Sequence, residues 1–235
     1  MHLTPEIVLR LIPLLEPFVT EHKRRLMQSV LDERTRWLTV ALEDIYQPHN
    51  ASAALRSCEC FGVQDVHVIE NRNRFRPSSD VAMGAAKWLN LHHYRGNNAG
   101  DSSPCIAALR QTGYRIVATA LTPDATPLPD LSLEKPVALL FGTEDEGLSM
   151  AAMDEADERV RIPMFGFTRS FNVSVSVALC LHSLSTRLRA SDRPWRLSDT
   201  ERQSIYLTWL RRTIPHADAH IRRLDREIPG GNPAQ

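Results

Sequence analysis

Short apolar runs alternate with longer mixed stretches through most of this chain, and the alternation predicts its architecture. Strands are predicted at Leu38–Leu42, Val66–Ile69, Ile116–Ala120, Val137–Phe141 and Val160–Pro163. Helices are predicted at Pro48–Cys60, Cys105–Gln111, Ser149–Ala156 and Val173–Ala190. The strands are almost continuously apolar, the pattern expected when both faces of a sheet are covered. A mostly parallel α/β sheet with helices on both faces follows. Ligands of such sheets bind beyond the carboxyl ends of the strands, so the polar residues after each strand are the ones to examine.

The two ends of the chain read differently. Thr4 caps a first helix with Pro5 at its first position, and Ile7, Leu11, Leu14, Leu15 and Phe18 form its apolar stripe. A second helix carries Lys23, Arg24 and Arg25 ahead of Leu26, Val30 and Leu31. Near the other end, Ser198-Asp-Thr-Glu201 is a capping box opening a helix with Ile205, Tyr206, Trp209 and Leu210 on one side. A last basic segment spans about His216 to Arg226, and Gly230-Gly231 begins an end expected to fray. The organisation expected is therefore an N-terminal helical extension (1–37), a core (38–190) and a basic C-terminal helical extension (191–235).

Composition narrows the classes. At 235 residues, a full core can be buried. No apolar stretch approaches the ~20 residues that span a bilayer. Glu6, Arg10 and two prolines make the N-terminal stretch a poor signal peptide, so a cytoplasmic protein is expected. Cys58, Cys60, Cys105 and Cys180 contain no C-x-x-C pair and are read as free buried thiols. The formal net charge of zero hides segregation. Asp124–Glu158 holds ten acids and one base, whereas Arg187–Arg226 holds ten arginines against five acids. The basic residues are 25 Arg and only three Lys. Arg-rich surfaces suit phosphate and nucleic acid because the planar fork binds phosphate oxygens in pairs; an arginine-biased genome would give the same composition.

Three clusters at predicted strand ends could carry chemistry. After the first core strand comes Pro48-His-Asn50-Ala-Ser-Ala-Ala-Leu-Arg56, where Asn50 and Arg56 could both border the crevice, or Arg56 could make a structural pair with a glutamate. After Val137–Phe141 comes Gly142-Thr-Glu144-Asp-Glu-Gly147-Leu-Ser149. Gly142 allows close backbone approach, and Glu144 binds a cation, orients an arginine or is simply solvated. The third cluster, Ile162-Pro-Met164-Phe-Gly-Phe-Thr-Arg-Ser170-Phe171-Asn172-Val-Ser174, runs from a strand end into a helix start. It either presents donors to a ligand or caps the helix. Phosphate-loop and dinucleotide glycine signatures are absent, as are metal-type histidine spacing and a nucleophile elbow.

Taken in order, the clusters resemble the SpoU/TrmH branch of the SPOUT RNA methyltransferases. The family motif N-x-x-A-x-x-R reads Asn50-Ala-Ser-Ala-Ala-Leu-Arg56, and F-G-x-E-x-x-G-[LIV]-S reads Phe141-Gly-Thr-Glu-Asp-Glu-Gly-Leu-Ser149. The third, I-P-M-x-G…S-[LF]-N-[VI]-S-V, is the run from Ile162. The resemblance covers roughly Leu38–Ala190 and implies a deep C-terminal trefoil knot. It also implies a homodimer with the site at the interface. S-adenosyl-L-methionine is the implied cofactor, contacted by Thr119, Gly142, Ile162, Met164 and Phe171. No metal is required.

The implied reaction is methyl transfer to a ribose 2′-hydroxyl, with Arg56 matching the family's catalytic arginine. Because an arginine keeps its proton (pKa above ~12), its role is better read as binding the adjacent phosphate and orienting the hydroxyl. Asn50 and Glu144 would hold Arg56 and the ribose, and Ser170 and Asn172 would shape the site. Within the branch, the short helical extensions and the Pro48-His49-Asn50 form of the first motif resemble the enzymes acting on guanosine 18 of tRNA. The basic tail and the Lys23–Arg36 region would bind the RNA backbone. Phe167-Thr-Arg169-Ser-Phe171 departs from the family's usual run, which bears on the nucleotide accepted. Ribosomal RNA as substrate, and an inactive knotted RNA-binding protein, are the alternatives.

Overall fold

The structure, a computed structural model, describes residues 3–78, 84–95 and 101–227. The expected frayed end from Gly230 lies outside them. The chain forms two compact units, residues 35–195 and residues 1–34 with 196–235.

The larger unit is built on seven strands in the order β3-β2-β1-β6-β4-β7-β5. They are β1 (Leu38–Glu43), β2 (Asp65–Ile69), β3 (Asn90–Tyr94), β4 (Arg115–Thr119), β5 (Thr126–Pro127), β6 (Val137–Phe141) and β7 (Glu158–Arg161). Every pairing between them is parallel, so all carboxyl ends lie along one edge. Alternation along the strands divides the core between two faces. Val40, Leu42, Val117, Leu139 and Phe141 pack with helices α3 (Pro48–Cys60) and α6 (Val173–Arg189). Ala41, Ile116, Ala138 and Leu140 pack with α4 (Ser103–Gln111) and α5 (Met150–Glu155). Helices therefore cover both faces, as the apolar runs predict.

Two strands escape the sequence pattern. β3 is an edge strand whose His92 and His93 face solvent, and β5 is only two residues long. β7 begins two residues before its predicted start, because Glu158–Val160 take the pairing positions beside Val117–Thr119. Ile162 and Pro163 are thereby released into the loop beyond the sheet edge.

A polar network secures β2 against β3. The buried carboxylate of Asp65 accepts from Arg36 Nε (2.6 Å), Asn90 Nδ2 (3.0 Å) and His92 Nε2 (3.0 Å). Burial alone would raise the Asp65 pKa, but His92 and Arg36 outweigh it and hold the carboxyl well below its usual range. His67 stacks on His92 at 4.8 Å and lies 3.1 Å from the Tyr94 hydroxyl. Burial, with the charge of His92, pulls the His67 pKa down to about 4.

The smaller unit joins both ends of the chain: α1 (Pro5–Leu15), α2 (Glu21–Asp32), α7 (Asp199–Thr213) and α8 (Ala217–Glu227). Arg202 pairs with Asp32, the Tyr206 hydroxyl donates to Glu16 at 3.0 Å, and Arg34 lies 5.4 Å over the Trp209 ring. The Ser198 capping box is present. The predicted α1 stripe is rotated: Val8, Leu11 and Leu15 are buried, whereas Ile7 and Phe18 are exposed. Thr4 occupies the cap position, but its side chain makes no cap bond. Cys58, Cys105 and Cys180 are buried as expected, and Cys60 is exposed because it falls on the outer side of the last turn of α3.

Candidate active site

Three loops meet beyond the carboxyl ends of β1, β6 and β7. The first begins α3, where Pro48 takes the first helical position and Ala51, Ser52 and Ala54 let the helix pack closely. This places Asn50 in the first turn, only 4% exposed.

The second loop is shaped by its glycines. A Cβ on Gly142 would stand 2.1 Å from the Gly147 carbonyl carbon and 2.3 Å from Leu148 N, so no side chain fits there. Gly147 turns the chain at φ +73°, a conformation that L side chains rarely adopt. Thr143 and Gly147 exchange backbone hydrogen bonds of 3.1 and 3.0 Å, leaving Glu144 at the tip.

The third loop ends at Asn172, the cap of α6. Its Oδ1 accepts from Ser174 N at 2.9 Å and from the Ser174 hydroxyl at 2.6 Å. Its amide donates to Asn50 Oδ1 at 3.1 Å and to Glu144 Oε1. Capping and site-building are thus one residue's two ends. Asn50 also donates to the same Glu144 oxygen at 2.9 Å, and Val173 N lies 3.4 Å from it. Glu144 is neither merely solvated nor, among the described residues, paired with an arginine. Its carboxylate is the hub that ties the three motif loops together.

Beside this hub opens a cavity of about 480 Å³. Its walls include Thr119, Gly142, Ile162, Met164 and Phe171, together with Glu144 and Ser170. Thr119 is positioned by its hydroxyl, which donates to Leu140 O at 2.8 Å. Arg161 and Arg169 also reach the cavity, as does Cys180, whose thiol burial pushes up to about 12. The volume suits a drug-sized ligand. Gly142 brings backbone to the cavity wall. Phe165 and Phe167 stand fully exposed on the neighbouring loop.

Arg56 stands apart. It is exposed on α3 and makes no hydrogen bond or ion pair among the described residues, so neither the expected hold by Asn50 and Glu144 nor a structural glutamate pair is present within this chain. It lies six positions after Asn50, which turns it roughly 120° around the helix.

Residues not singled out in the sequence support the site from behind. Glu43, 3% exposed, accepts from Ser149 N (2.8 Å), Ser149 Oγ (2.7 Å) and Ser102 Oγ, pinning the start of α5 to β1. Asp44, at φ +54°, accepts backbone N–H groups from Asn71, Arg72 and Asn73 at 2.8–3.1 Å. Arg72 links it to Glu146 in the second loop at 2.6 Å. The signal available was two consecutive acids ending an apolar strand, where a charge must find donors once buried.

Sequence and structure comparisons agree with this geometry. The SpoU rRNA Methylase family profile matches residues 37–182. The chain is 41% identical over 207 residues to a tRNA (guanosine(18)-2′-O)-methyltransferase of Borreliella burgdorferi, covering 88% of this chain and 93% of the relative. A protein of the same name from Thermus thermophilus is 36% identical, covering 82% and 98%. Among solved structures, the Aquifex aeolicus TrmH/SpoU tRNA modifying enzyme superposes with TM-score 0.73 at 25% identity, covering 83% of this chain and 98% of that one.

Proposed function

Because this chain belongs to the SpoU rRNA Methylase family, we propose that it transfers a methyl group from S-adenosylmethionine to a ribose 2′-hydroxyl of tRNA, at guanosine 18 of the D-loop. The carrying observation is the hydrogen-bonded hub Asn50–Glu144–Asn172 opening onto the cavity lined by Thr119, Gly142, Ile162, Met164 and Phe171. Those five residues hold the cofactor, with backbone groups around Gly142 as main contacts. Bound S-adenosylmethionine supplies an electrophilic methyl group. The chain's own contribution is alignment of the ribose hydroxyl with it, which can supply most of the acceleration. Arg56 binds the adjacent phosphate and orients the hydroxyl, while Ser170 and the hub shape the pocket around the ribose.

The same reading includes a homodimer with the site at the interface. Its support is twofold: Arg56 turns away from its own hub, and Phe171, Val175 and Leu179, four residues apart, leave one face of α6 and its entry exposed. A deep trefoil knot through the loops after β4, β6 and β7 belongs to this reading, supported by the family and by the cavity being walled by those loops. So do an RNA-binding role for the helical extensions around the 38–190 core, a cytoplasmic location and independence from metal. No described helix is long and apolar enough to cross a membrane. Several arginines of the basic tail are already engaged: Arg187 donates to Leu128 and Leu131 carbonyls, and Arg211 pairs with Asp218.

Radiolabel transfer from S-adenosylmethionine to total tRNA and to rRNA, followed by mapping of the modified ribose, tests the reading. Label at guanosine 18 of tRNA is expected; label confined to rRNA overturns the substrate.

A further inference from the structure

Beyond the catalytic loops, the same sheet edge carries a second cavity, lined by Glu70, Arg74, Phe75, Arg76, His93 and Arg95. It lies where β2 and β3 end, and Glu70 N donates to Tyr94 O at 2.9 Å to hold those ends together. The Glu70 side chain is 7% exposed. Its carboxylate accepts from Phe75 N at 2.9 Å and faces His93 Nδ1 at 3.2 Å and Arg95 Nε at 3.7 Å. Burial would raise its pKa, but these donors outweigh burial and keep it ionised.

One carboxylate thus serves as the anchor for a cationic surface. Phe75 is buried in the main core, and the residues on either side of it, Arg74 and Arg76, are left exposed. Neither has a hydrogen bond or ion pair among the described residues. Three guanidiniums against one carboxylate leave a surplus of two positive charges. Guanidinium forks match phosphate oxygens in pairs, so two exposed arginines beside the Arg95–Glu70 pair suit a phosphate.

We propose that this cavity is a second RNA-backbone site that grips a phosphate of the substrate a few nucleotides from the reacting ribose. The inference rests on the reading of the chain as an RNA methyltransferase. The sheet order supports it: the hub stands over the ends of β1 and β6, and the cationic cavity over those of β2 and β3, about two strand spacings or roughly 10 Å along the same edge. One RNA strand lying along that edge meets both.

The test uses the full chain with a tRNA transcript, comparing Arg74→Gln/Arg76→Gln with Arg74→Lys/Arg76→Lys. Binding is followed by fluorescence anisotropy across a KCl series. The glutamine pair is expected to weaken binding at least fivefold at low salt and to reduce the salt slope by about one to two, while the lysine pair keeps the slope. KM for tRNA rises, and kcat and S-adenosylmethionine affinity stay within twofold. Thermal unfolding should be unchanged, since neither side chain has a partner to lose among the described residues.

Wild-type affinity and slope in the glutamine pair overturn the proposal. So does displacement of inorganic phosphate, read by phosphorus NMR, without any change in RNA binding, which would mark a site for free phosphate. Failure of the underlying function looks different: a wild-type chain that binds tRNA through Arg74 and Arg76 but transfers no methyl group leaves this site standing and removes the activity.

Discussion

Asn50 is nearly fully buried and has its amide committed to Gln47 and Glu144, so its removal costs two hydrogen bonds, one of them to a carboxylate. Asn50→Ala should cost about 1–3 kcal/mol in urea unfolding and reduce methyl transfer far more than cofactor affinity. Gly142→Ala asks for more than the loop can give, because its methyl group would meet backbone, not a flexible side chain. Stability loss should exceed the ~1 kcal/mol typical of a point substitution, and calorimetry should find S-adenosylmethionine binding lost. Arg56→Ala is the contrasting case. Exposed, and unpartnered among the described residues, Arg56 should leave both unfolding midpoint and cofactor binding nearly intact when replaced, while methyl transfer disappears. Full activity in that variant removes Arg56 from the mechanism.

At the scale of elements, the β2–β3 pair is built on ionisable groups and so responds to pH. His67 has a folded pKa near 4, below its ordinary 6.5, so between those values the unfolded chain binds more protons than the folded one. Stability therefore rises with pH across that window and falls as acid is added, by at most about 3 kcal/mol. Asp65 acts with the same sign at lower pH: its depressed carboxyl stabilises the fold above the unfolded value and loses that contribution as pH falls through the folded one. Urea midpoints measured from pH 4 to 7 should drop toward acid. His67→Gln should flatten the curve over that window, and an unaltered curve would refute the assignment.

For the whole molecule, the exposed stripe Phe171, Val175 and Leu179 is the feature that an isolated chain leaves unexplained. Leu179→Asp, at 37% exposure, should spare folding of the single chain and shift light-scattering mass from dimer to monomer. If Arg56 serves the partner's site, activity should fall with it. A wild-type mass in that variant places the interface elsewhere.

What the sequence alone makes legible depends on how far along the chain each signal reaches. Local features were: the apolar runs of β1, β2, β4 and β6, the Pro48 and Ser198 helix starts, and the glycines that let backbone approach backbone depend on neighbours within a few residues. The three motifs also marked the site, because each lies where a parallel strand ends. Edge strands β3 and β5 were not legible, since one-sided or very short pairing leaves no apolar run. The rotation of the α1 stripe was equally hidden, because a periodic pattern names a face without saying what will cover it. Only the tertiary structure joined Asn50 to Glu144 and Asn172, residues 94 and 122 positions from it, and assigned Glu43 and Asp44 their buried donors. It also separated Arg56 from the hub that its motif shares, and raised a cationic cavity around Glu70 from two distant strand ends. Composition and periodicity determine which elements form and where their ends fall; which side chains meet across those ends depends on strand order, a long-range property of the packed sheet.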